Sequence, residues 1–321
     1  SHSVIISISH NKKEYRVDTK NSFDISIPYD FNGAQPNFYD VAEGQLKHLQ
    51  SGGTIYSVAA GAGCNVPEIS LNIHCSGTHT ECAGHLLENP GDVGMLLKDI
   101  MIPTVLITVN TTLFCNSGES YHCDVGDNEQ IISKKIIQNK FEPWEEFQPQ
   151  ALVIRTTPNP DQKKFYRYTN HTPPFFSNEA LRFIKSIGIC HLVVDLPSID
   201  RMEDNGILGN HRIFWGDGEN AQGEVNPKSN GTVTELAFIV DDVPDGFYIL
   251  VMRDRRVSAG LPKADISVDL QQIFLELPKD TAKETEASQL ALAKTIADTA
   301  ENCGDMEKLG KELNSRASGK L

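Results

Sequence analysis

The segment that decides the fold reads SNEALRFIKSIGICHLVVD over residues 177–195. Ser177 and the residues after it are typical of a helix N-terminus, and Gly188 is typical of a helix end. Apolar side chains recur every three to four residues between them, which indicates one buried helical face. The run that follows, residues 189–195, is apolar apart from His191 and the closing Asp195, as in a buried strand. The segment therefore predicts a helix followed directly by a strand.

Two further apolar runs precede this segment, at residues 101–110 and 151–155. Both are short and uninterrupted, which is typical of strands that are buried on both faces. Helical spacing between them, over residues 131–140, continues the alternation of strands and helices. This order predicts βαβ units and an α/β fold, in which sites gather at the carboxyl ends of the strands. Asp195 and Asp200 follow the last strand, so we expect them near a functional site.

The remaining strands are expected towards the two ends of this region. Residues 1–20 alternate loosely and predict an opening hairpin. Residues 54–58 and 69–73 are interpreted as a pair of strands around a turn-rich connection. A last apolar strand is predicted over residues 247–252.

Composition limits the class of protein. Hydrophobic residues make up 39% of the 321 residues and charged residues 22%, a balance typical of a globular protein with a substantial core. The formal net charge of −14 argues against a nucleic-acid surface and against an anionic membrane as partner. No apolar run approaches the roughly 20 residues of a membrane-spanning helix. We expect a cytoplasmic protein.

The composition changes near residue 279, where Ala, Lys, Glu and Thr become dominant. Leu292 and Ile296 are four residues apart in this region, which favours an amphipathic helix. We therefore predict one domain over residues 1–278 and a C-terminal helical extension over residues 279–321.

The candidate site is the stretch HCSGTHTECAGH, residues 74–85. Imidazole, thiolate and carboxylate groups are the side chains that bind divalent transition metals, and this stretch concentrates all three. His79 and Glu81 are separated by one residue, so their side chains share a face in an extended segment. The stretch predicts an open metal site where a strand meets a loop.

The same stretch carries a family resemblance. Gly-Thr-His-Thr-Glu at residues 77–81, with His85 six residues after His79, resembles the His-x-Gly-Thr-His-x-Asp-x-Pro-x-His signature of the cyclase family. That family includes the bacterial kynurenine formamidases and isatin hydrolases. The resemblance extends over most of residues 23–255, and further similar stretches occur in the family's order at residues 24–28, 152–156, 194–200 and 241–246.

The resemblance implies the fold and the roles of the site residues. The fold is the family's mixed-sheet swivelling β/β/α domain, here with the C-terminal helical extension. One or two divalent ions, zinc or manganese, are the implied cofactor, and His85 is the implied acid/base residue. The implied metal ligands are His79, Glu81 in place of a bridging aspartate, and His211 and Glu235 around the second ion.

This chain departs from the signature at two positions. The first ligand position holds Cys75, with His74 one residue earlier, so either the Cys75 thiolate binds the metal or a local bulge turns His74 inward. Glu81 is one methylene longer than the aspartate of the signature. The sequence leaves the choice between His74 and Cys75 open.

The implied activity is arylformamidase-like: metal-dependent hydrolysis of an amide or formamide C–N bond in a small molecule, with metal-activated water as nucleophile and His85 protonating the departing nitrogen. One alternative is an enzyme of the same fold that opens another cyclic or acyl substrate. Another is a non-catalytic protein that binds a small ligand on the same scaffold. We expect a small-molecule substrate and a homo-oligomer, a dimer or higher, with no nucleic-acid or membrane partner. The sequence does not identify the substrate-binding residues.

Overall fold

The structure is a computed structural model that describes residues 4–88, 93–97, 101–252, 271–273 and 318–320. It divides into two compact units, residues 1–263 and residues 264–321. In the first unit the strands are β1 (Ile5–His10), β2 (Lys13–Asp18), β3 (Gln45–His48), β4 (Gln50–Ser51), β5 (Thr54–Ile55), β6 (Pro67–Ser70), β7 (His79–Cys82), β8 (Ile102–Asn110), β9 (Thr112–Leu113), β10 (Gln130–Ile132), β11 (Ala151–Thr157), β12 (Phe175–Phe176), β13 (His191–Val194), β14 (Thr232–Glu235) and β15 (Gly246–Leu250). The α-helices are α1 (Val93–Leu96), α2 (Phe114–Ser117), α3 (Lys134–Phe141), α4 (Asn178–Ser186) and α5 (Gly209–Trp215).

A mixed six-stranded sheet forms the centre of the first unit, in the order β15-β8-β11-β13-β14-β7. The four inner strands run parallel to one another, and the two edge strands, β15 and β7, run antiparallel to their neighbours. The predicted α/β fold with a mixed sheet is confirmed. The carboxyl ends of the parallel strands all lie at one edge of this sheet.

The inner strands are buried on both faces, as their continuous apolar sequences predict. On one face, Leu152 and Ile154 pack in a cluster with apolar residues of α3, α4 and α5. On the other face, Val153 packs with Ala237 and Ile239, which belong to the irregular segment after β14. Successive residues of a strand point to opposite faces, so β8, β11 and β13 each contribute to both cores.

The helix predicted after Ser177 is confirmed as α4. The Ser177 side chain accepts a hydrogen bond from the Ala180 amide at 3.0 Å, which satisfies one of the free N–H groups at the helix start. Gly188, two residues beyond the helix, has a φ angle of +85°, a conformation that glycine adopts without steric cost. The opening hairpin is also confirmed, because β1 pairs with β2.

The predicted pairing of residues 54–58 with residues 69–73 is wrong. β5 pairs instead with β4, and β6 pairs with β3. Gly52 and Gly53, both with positive φ, form the two-residue turn between β4 and β5. Such a turn closes a hairpin between adjacent segments. Because β5 pairs with β4 in this local hairpin, it does not pair with residues 69–73.

In the second unit the described residues are two short strands, β16 (Gln271–Ile273) and β17 (Ser318–Lys320), which pair antiparallel. The helical extension predicted over residues 279–321 otherwise lies outside the described residues, and the boundary at residue 278 stays a prediction. None of the described helices is long and apolar enough to cross a membrane.

Candidate metal centre

The ligand-rich stretch reaches the carboxyl edge of the sheet through β7. In the antiparallel pairing with β14, His79 lies opposite Glu235 and Glu81 lies opposite Val233. Side chains of opposed residues share a face of the sheet, and so do residues two apart on one strand. The register therefore places His79, Glu81 and Glu235 on the same face.

Thr78 holds this strand in place. Its hydroxyl accepts a hydrogen bond from the Ile27 amide at 2.8 Å and donates to the Leu236 carbonyl at 2.5 Å. The first contact ties the stretch to the segment before it, and the second ties it to the residue after Glu235. These contacts hold β7 and β14 side by side at the point where His79, Glu81 and Glu235 meet.

His211 arrives from a different element, the first turn of α5. Asp200 accepts hydrogen bonds from the Asn210 amide at 2.8 Å and from the His211 amide at 3.2 Å, which satisfies free N–H groups at the helix start. The same carboxylate lies 2.7 Å from Nδ1 of His211. The imidazole also packs against Trp215, with ring centroids 5.1 Å apart. Asp200 therefore sets both the start of the helix and the orientation of its histidine.

The four buried side chains that meet here are called the inner group: His79, Glu81, His211 and Glu235. Nε2 of His211 lies 2.7 Å from Oε1 of Glu81 and 3.4 Å from Oε1 of Glu235. Nε2 of His79 lies 3.3 Å from Oε2 of Glu235. Each side chain is at most 5% exposed, so these charged groups are almost fully removed from water.

Short distances in the inner group do not amount to hydrogen bonds. Nε2 of His79, Oε1 of Glu81 and Nε2 of His211 are buried and have no hydrogen bond of acceptable geometry among the described residues. Leaving a buried polar atom unpaired costs about 1–3 kcal/mol. Nδ1 of His79 donates to the Gly77 carbonyl at 3.0 Å, and Nδ1 of His211 bonds to Asp200, which leaves a lone pair on each Nε2. Two imidazoles and two carboxylates fit zinc or manganese.

Electrostatics in the inner group favours a cation. Burial by itself raises the pKa of Glu81, but the neighbouring His211 imidazole brings that pKa below its ordinary value. Burial lowers the pKa of His211, but the Glu81 charge and the bond to Asp200 raise it well above its ordinary value. These directions show that the buried carboxylates attract positive charge, which a divalent ion held by the inner group would also supply.

His74 and His85 stand on the other side of Glu81. Nδ1 of His74 lies 3.1 Å from Oε2 of Glu81, and Nδ1 of His85 lies 3.5 Å from the same oxygen. The two rings are 4.4 Å apart. Their side chains are 45% and 30% exposed, against 3% for Glu81. His74, Glu81 and His85 are called the outer group.

Among the described residues, Cys75 is a member of neither group. Its side chain packs against an apolar cluster that contains Phe38, Tyr168 and Leu236, and burial, with the Glu235 charge, raises the pKa of its thiol. A turn positions these residues, because the Asn72 side chain accepts a hydrogen bond from the Cys75 amide at 2.9 Å. Of the seven predicted site residues, the structure brings six together and places Cys75 outside them.

The role of Asp200 was missed from the sequence, although its place after β13 marked it as a functional residue. Nothing in the spacing of residues 195–211 indicates that Asp200 supports His211 rather than binding metal itself.

A second histidine–carboxylate set, called the His122 cluster, consists of His122, Asp200 and Asp204. Here Nδ1 of His122 pairs with the Asn178 amide at 3.1 Å, and Nε2 lies 3.5 Å from Asp204. His122 is therefore part of a hydrogen-bonded structural network.

The fold and this site define a class of protein, and the chain belongs to the family described as "Putative cyclase", whose sequence profile matches residues 23–201. The predicted family is therefore confirmed. The kynurenine formamidase of Bacillus cytotoxicus is 24% identical over 187 residues, which cover 58% of this chain and 71% of that protein.

Two solved structures are similar at lower identity. A potential metal-dependent hydrolase with cyclase activity is 16% identical with a TM-score of 0.44, over 71% of this chain and 87% of that chain. Isatin hydrolase A from Labrenzia aggregata, bound to benzyl benzoate, is 16% identical with a TM-score of 0.41, over 79% of this chain and 89% of that chain.

Proposed function

We propose that this protein is a metal-dependent hydrolase that cleaves an amide or formamide C–N bond in a small molecule. The observation that carries the proposal is the convergence beside the Glu235 carboxylate of three buried ligand atoms, from His79, Glu81 and His211, that have no hydrogen bond of acceptable geometry among the described residues. Membership of the cyclase family and the similarity to a kynurenine formamidase support the same reaction class.

The inner group would hold one or two divalent ions, zinc or manganese. Such an ion supplies Lewis-acid polarisation of the scissile carbonyl and makes water acidic enough to react at neutral pH. Asp200 keeps the His211 ring in the tautomer that presents Nε2 to the site. Burial of the inner group excludes bulk water and strengthens every charge interaction inside it.

His85 is the residue that we assign to proton transfer. Its ring lies at the solvent side of Glu81, where a substrate can reach it, and burial lowers its pKa below the ordinary value. A neutral imidazole at this position takes the proton of the attacking water. It then delivers that proton to the nitrogen as the C–N bond breaks and the new C–O bond remains.

Metal analysis joined to a substrate panel tests the proposal. We expect bound zinc or manganese in the purified protein and hydrolysis of N-formylkynurenine or isatin. Hydrolysis of a simple lactone alone would favour the alternative of another cyclic or acyl substrate. His79→Ala should lose metal and reduce the rate by at least roughly 10³-fold, because loss of the ion removes several kcal/mol of transition-state stabilisation. His171→Ala removes an exposed ring that stacks on Tyr166, and it is the matched control.

Three outcomes would contradict parts of the proposal. Protein that binds neither ion and gains no activity with either is not a metal hydrolase. Metal that remains after His79→Ala contradicts the ligand assignment. A metal-loaded protein that hydrolyses none of the panel contradicts the formamidase-like reaction and favours a small-ligand-binding role.

A further inference from the structure

The two oxygens of the Asp200 carboxylate face different groups. Oδ2 lies 2.7 Å from Nδ1 of His211, and this contact orients the ring within the inner group. Oδ1 accepts hydrogen bonds from the Tyr121 hydroxyl and from the Asn210 amide, each at 2.8 Å. Nε2 of His122 lies 4.0 Å from the same Oδ1. Asp200 therefore lies between two histidines, and the hydrogen bonds on Oδ1 hold it on the side of His211.

The hydroxyl of Tyr121 has two hydrogen bonds that fix its direction. It accepts from the Arg201 amide at 2.7 Å and donates to Asp200. Burial, together with the Asp200 charge, raises the pKa of the Tyr121 phenol well above its ordinary value, so the hydroxyl keeps its proton at neutral pH. A hydrogen bond from a neutral donor to a carboxylate is stronger than one between two neutral groups. Tyr121 is therefore a lasting donor to Asp200.

The chain before Tyr121 is fixed to the starts of two helices. Glu119 accepts a hydrogen bond at 2.8 Å from the amide of Lys134, the first residue of α3. The Ser120 amide donates at 2.8 Å to the carboxylate of Glu179, in the first turn of α4. Free N–H groups at a helix start favour a carboxylate such as that of Glu119. Tyr121 thus extends from a segment anchored on α3 and α4 to the start of α5.

We propose that Tyr121 is a positioning residue of the inner group, because its hydroxyl holds Asp200 in the orientation that bonds Nδ1 of His211. Without this hydroxyl, Oδ1 loses a donor and the carboxylate can turn towards His122. A weaker bond at Nδ1 loosens the His211 ring and makes its Nε2 a poorer metal ligand. The effect on metal affinity rests on the proposed function, whereas the effect on the His211 ring does not.

Tyr121→Phe in the full-length protein tests the proposal. The substitution removes only the hydroxyl and keeps the ring that packs against Phe175, with ring centroids 4.7 Å apart. Residues that support metal-binding histidines change metal affinity by about 10–100-fold, and Asp200 keeps the Asn210 amide as a donor. We therefore expect zinc affinity to fall by about tenfold in a competition assay with a chelator. Wild-type affinity in this variant overturns the proposal.

A second measurement needs no metal. In the metal-free protein, the nuclear magnetic resonance signal of the His211 Nδ1 proton is assigned by its absence from His211→Ala. Tyr121→Phe should shift this signal upfield, because a weaker hydrogen bond to Asp200 deshields the proton less. An unchanged signal overturns the proposal. If the protein binds no zinc or turns over no substrate, the proposed function fails, and this signal still decides whether Tyr121 positions His211.

Two further variants separate positioning from a general effect on this segment. Tyr39→Phe is the matched control, because its hydroxyl donates at 2.7 Å to the carbonyl of Met202, two residues beyond Asp200. It should leave zinc affinity and the His211 signal unchanged. In the double variant Tyr121→Phe/Asp200→Asn, the loss of affinity should equal that of Asp200→Asn alone, because the hydroxyl acts through Asp200. Equal losses in both tyrosine variants, or additive losses in the double variant, overturn the proposal.

Discussion

Two histidine–carboxylate sets lie at the same sheet edge, and Asp200, a member of the His122 cluster, also contacts His211 of the inner group. The inner group and the His122 cluster are both almost fully buried, and each combines imidazole with carboxylate. They differ in how their polar atoms are paired. In the His122 cluster Nδ1 pairs with Asn178, and Asp204 accepts the Leu208 amide. In the inner group three ligand atoms have no hydrogen bond of acceptable geometry among the described residues.

This difference teaches that residue types alone do not define a metal site. A cation in the His122 cluster would have to displace existing hydrogen bonds, and each group left unpaired in a buried place costs about 1–3 kcal/mol. In the inner group the unpaired atoms gain a partner when a cation binds. The pairing of buried donor and acceptor atoms, rather than the number of ligands, therefore distinguishes the metal centre from the structural network.

Removal of one histidine from the inner group should produce the largest effect. We expect His211→Ala to lose bound metal and to reduce hydrolysis by at least roughly 10³-fold, because several kcal/mol of transition-state stabilisation depend on the ion. Metal content by mass spectrometry and the rate on the best substrate measure both effects. Retention of metal at the wild-type level would show that His211 is not a ligand.

His122→Ala is the matched control, because it removes a buried imidazole that also adjoins Asp200. Metal content should stay at the wild-type level. The free energy of unfolding should fall by about 1–3 kcal/mol, since Asn178 and Asp204 each lose a buried partner. Loss of metal from this folded variant would remove the distinction between the two sets.

Substitution of Asp200 should reduce metal affinity by an intermediate amount. Asp200→Asn keeps the size of the side chain but removes the charge that holds Nδ1 of His211 at 2.7 Å. Outer partners of metal-binding histidines change metal affinity or activity by about 10–100-fold, and we expect a loss of that size in a competition assay with a zinc chelator. Asp204→Asn alters a carboxylate that contacts His122 and accepts the Gly206 and Leu208 amides, and it should leave the affinity unchanged. Equal losses in both variants would indicate a general effect on the fold.

The sequence predicted the parts of the fold that have a strong periodic signal. Continuous apolar runs identified β8, β11 and β13, because strands buried on both faces leave no position for polar residues. The pairing of residues 54–58 was wrong because Gly52 and Gly53 close a local hairpin, and an apolar pattern does not state which partner a strand chooses. Pairing depends on turn geometry as well as on hydrophobicity.

The site was predictable to a similar extent. One-residue spacing placed His79 and Glu81 on one face, and the register of β7 with β14 added Glu235 across the strand pair. The relation of Asp200 to His211 was not predictable, because it arises where a helix start meets the end of a strand. Distances across such a junction depend on packing, which a linear sequence does not display.

The smallest expected effect belongs to Cys75, which occupies the family's first ligand position. If position in the signature decided ligation, Cys75→Ala would remove metal, as in the inner-group variants. The structure instead packs this thiol against Phe38 and Tyr168, where its half-buried side chain has a small contact area. We expect unchanged metal content and a loss of at most about 1 kcal/mol of stability, roughly the value of one buried methylene. Zinc content together with a urea unfolding curve measures both quantities. A folded Cys75→Ala protein without metal would show that the thiolate turns inward when the ion binds. The family signature would then predict the ligand better than the contacts of Cys75 in the structure do.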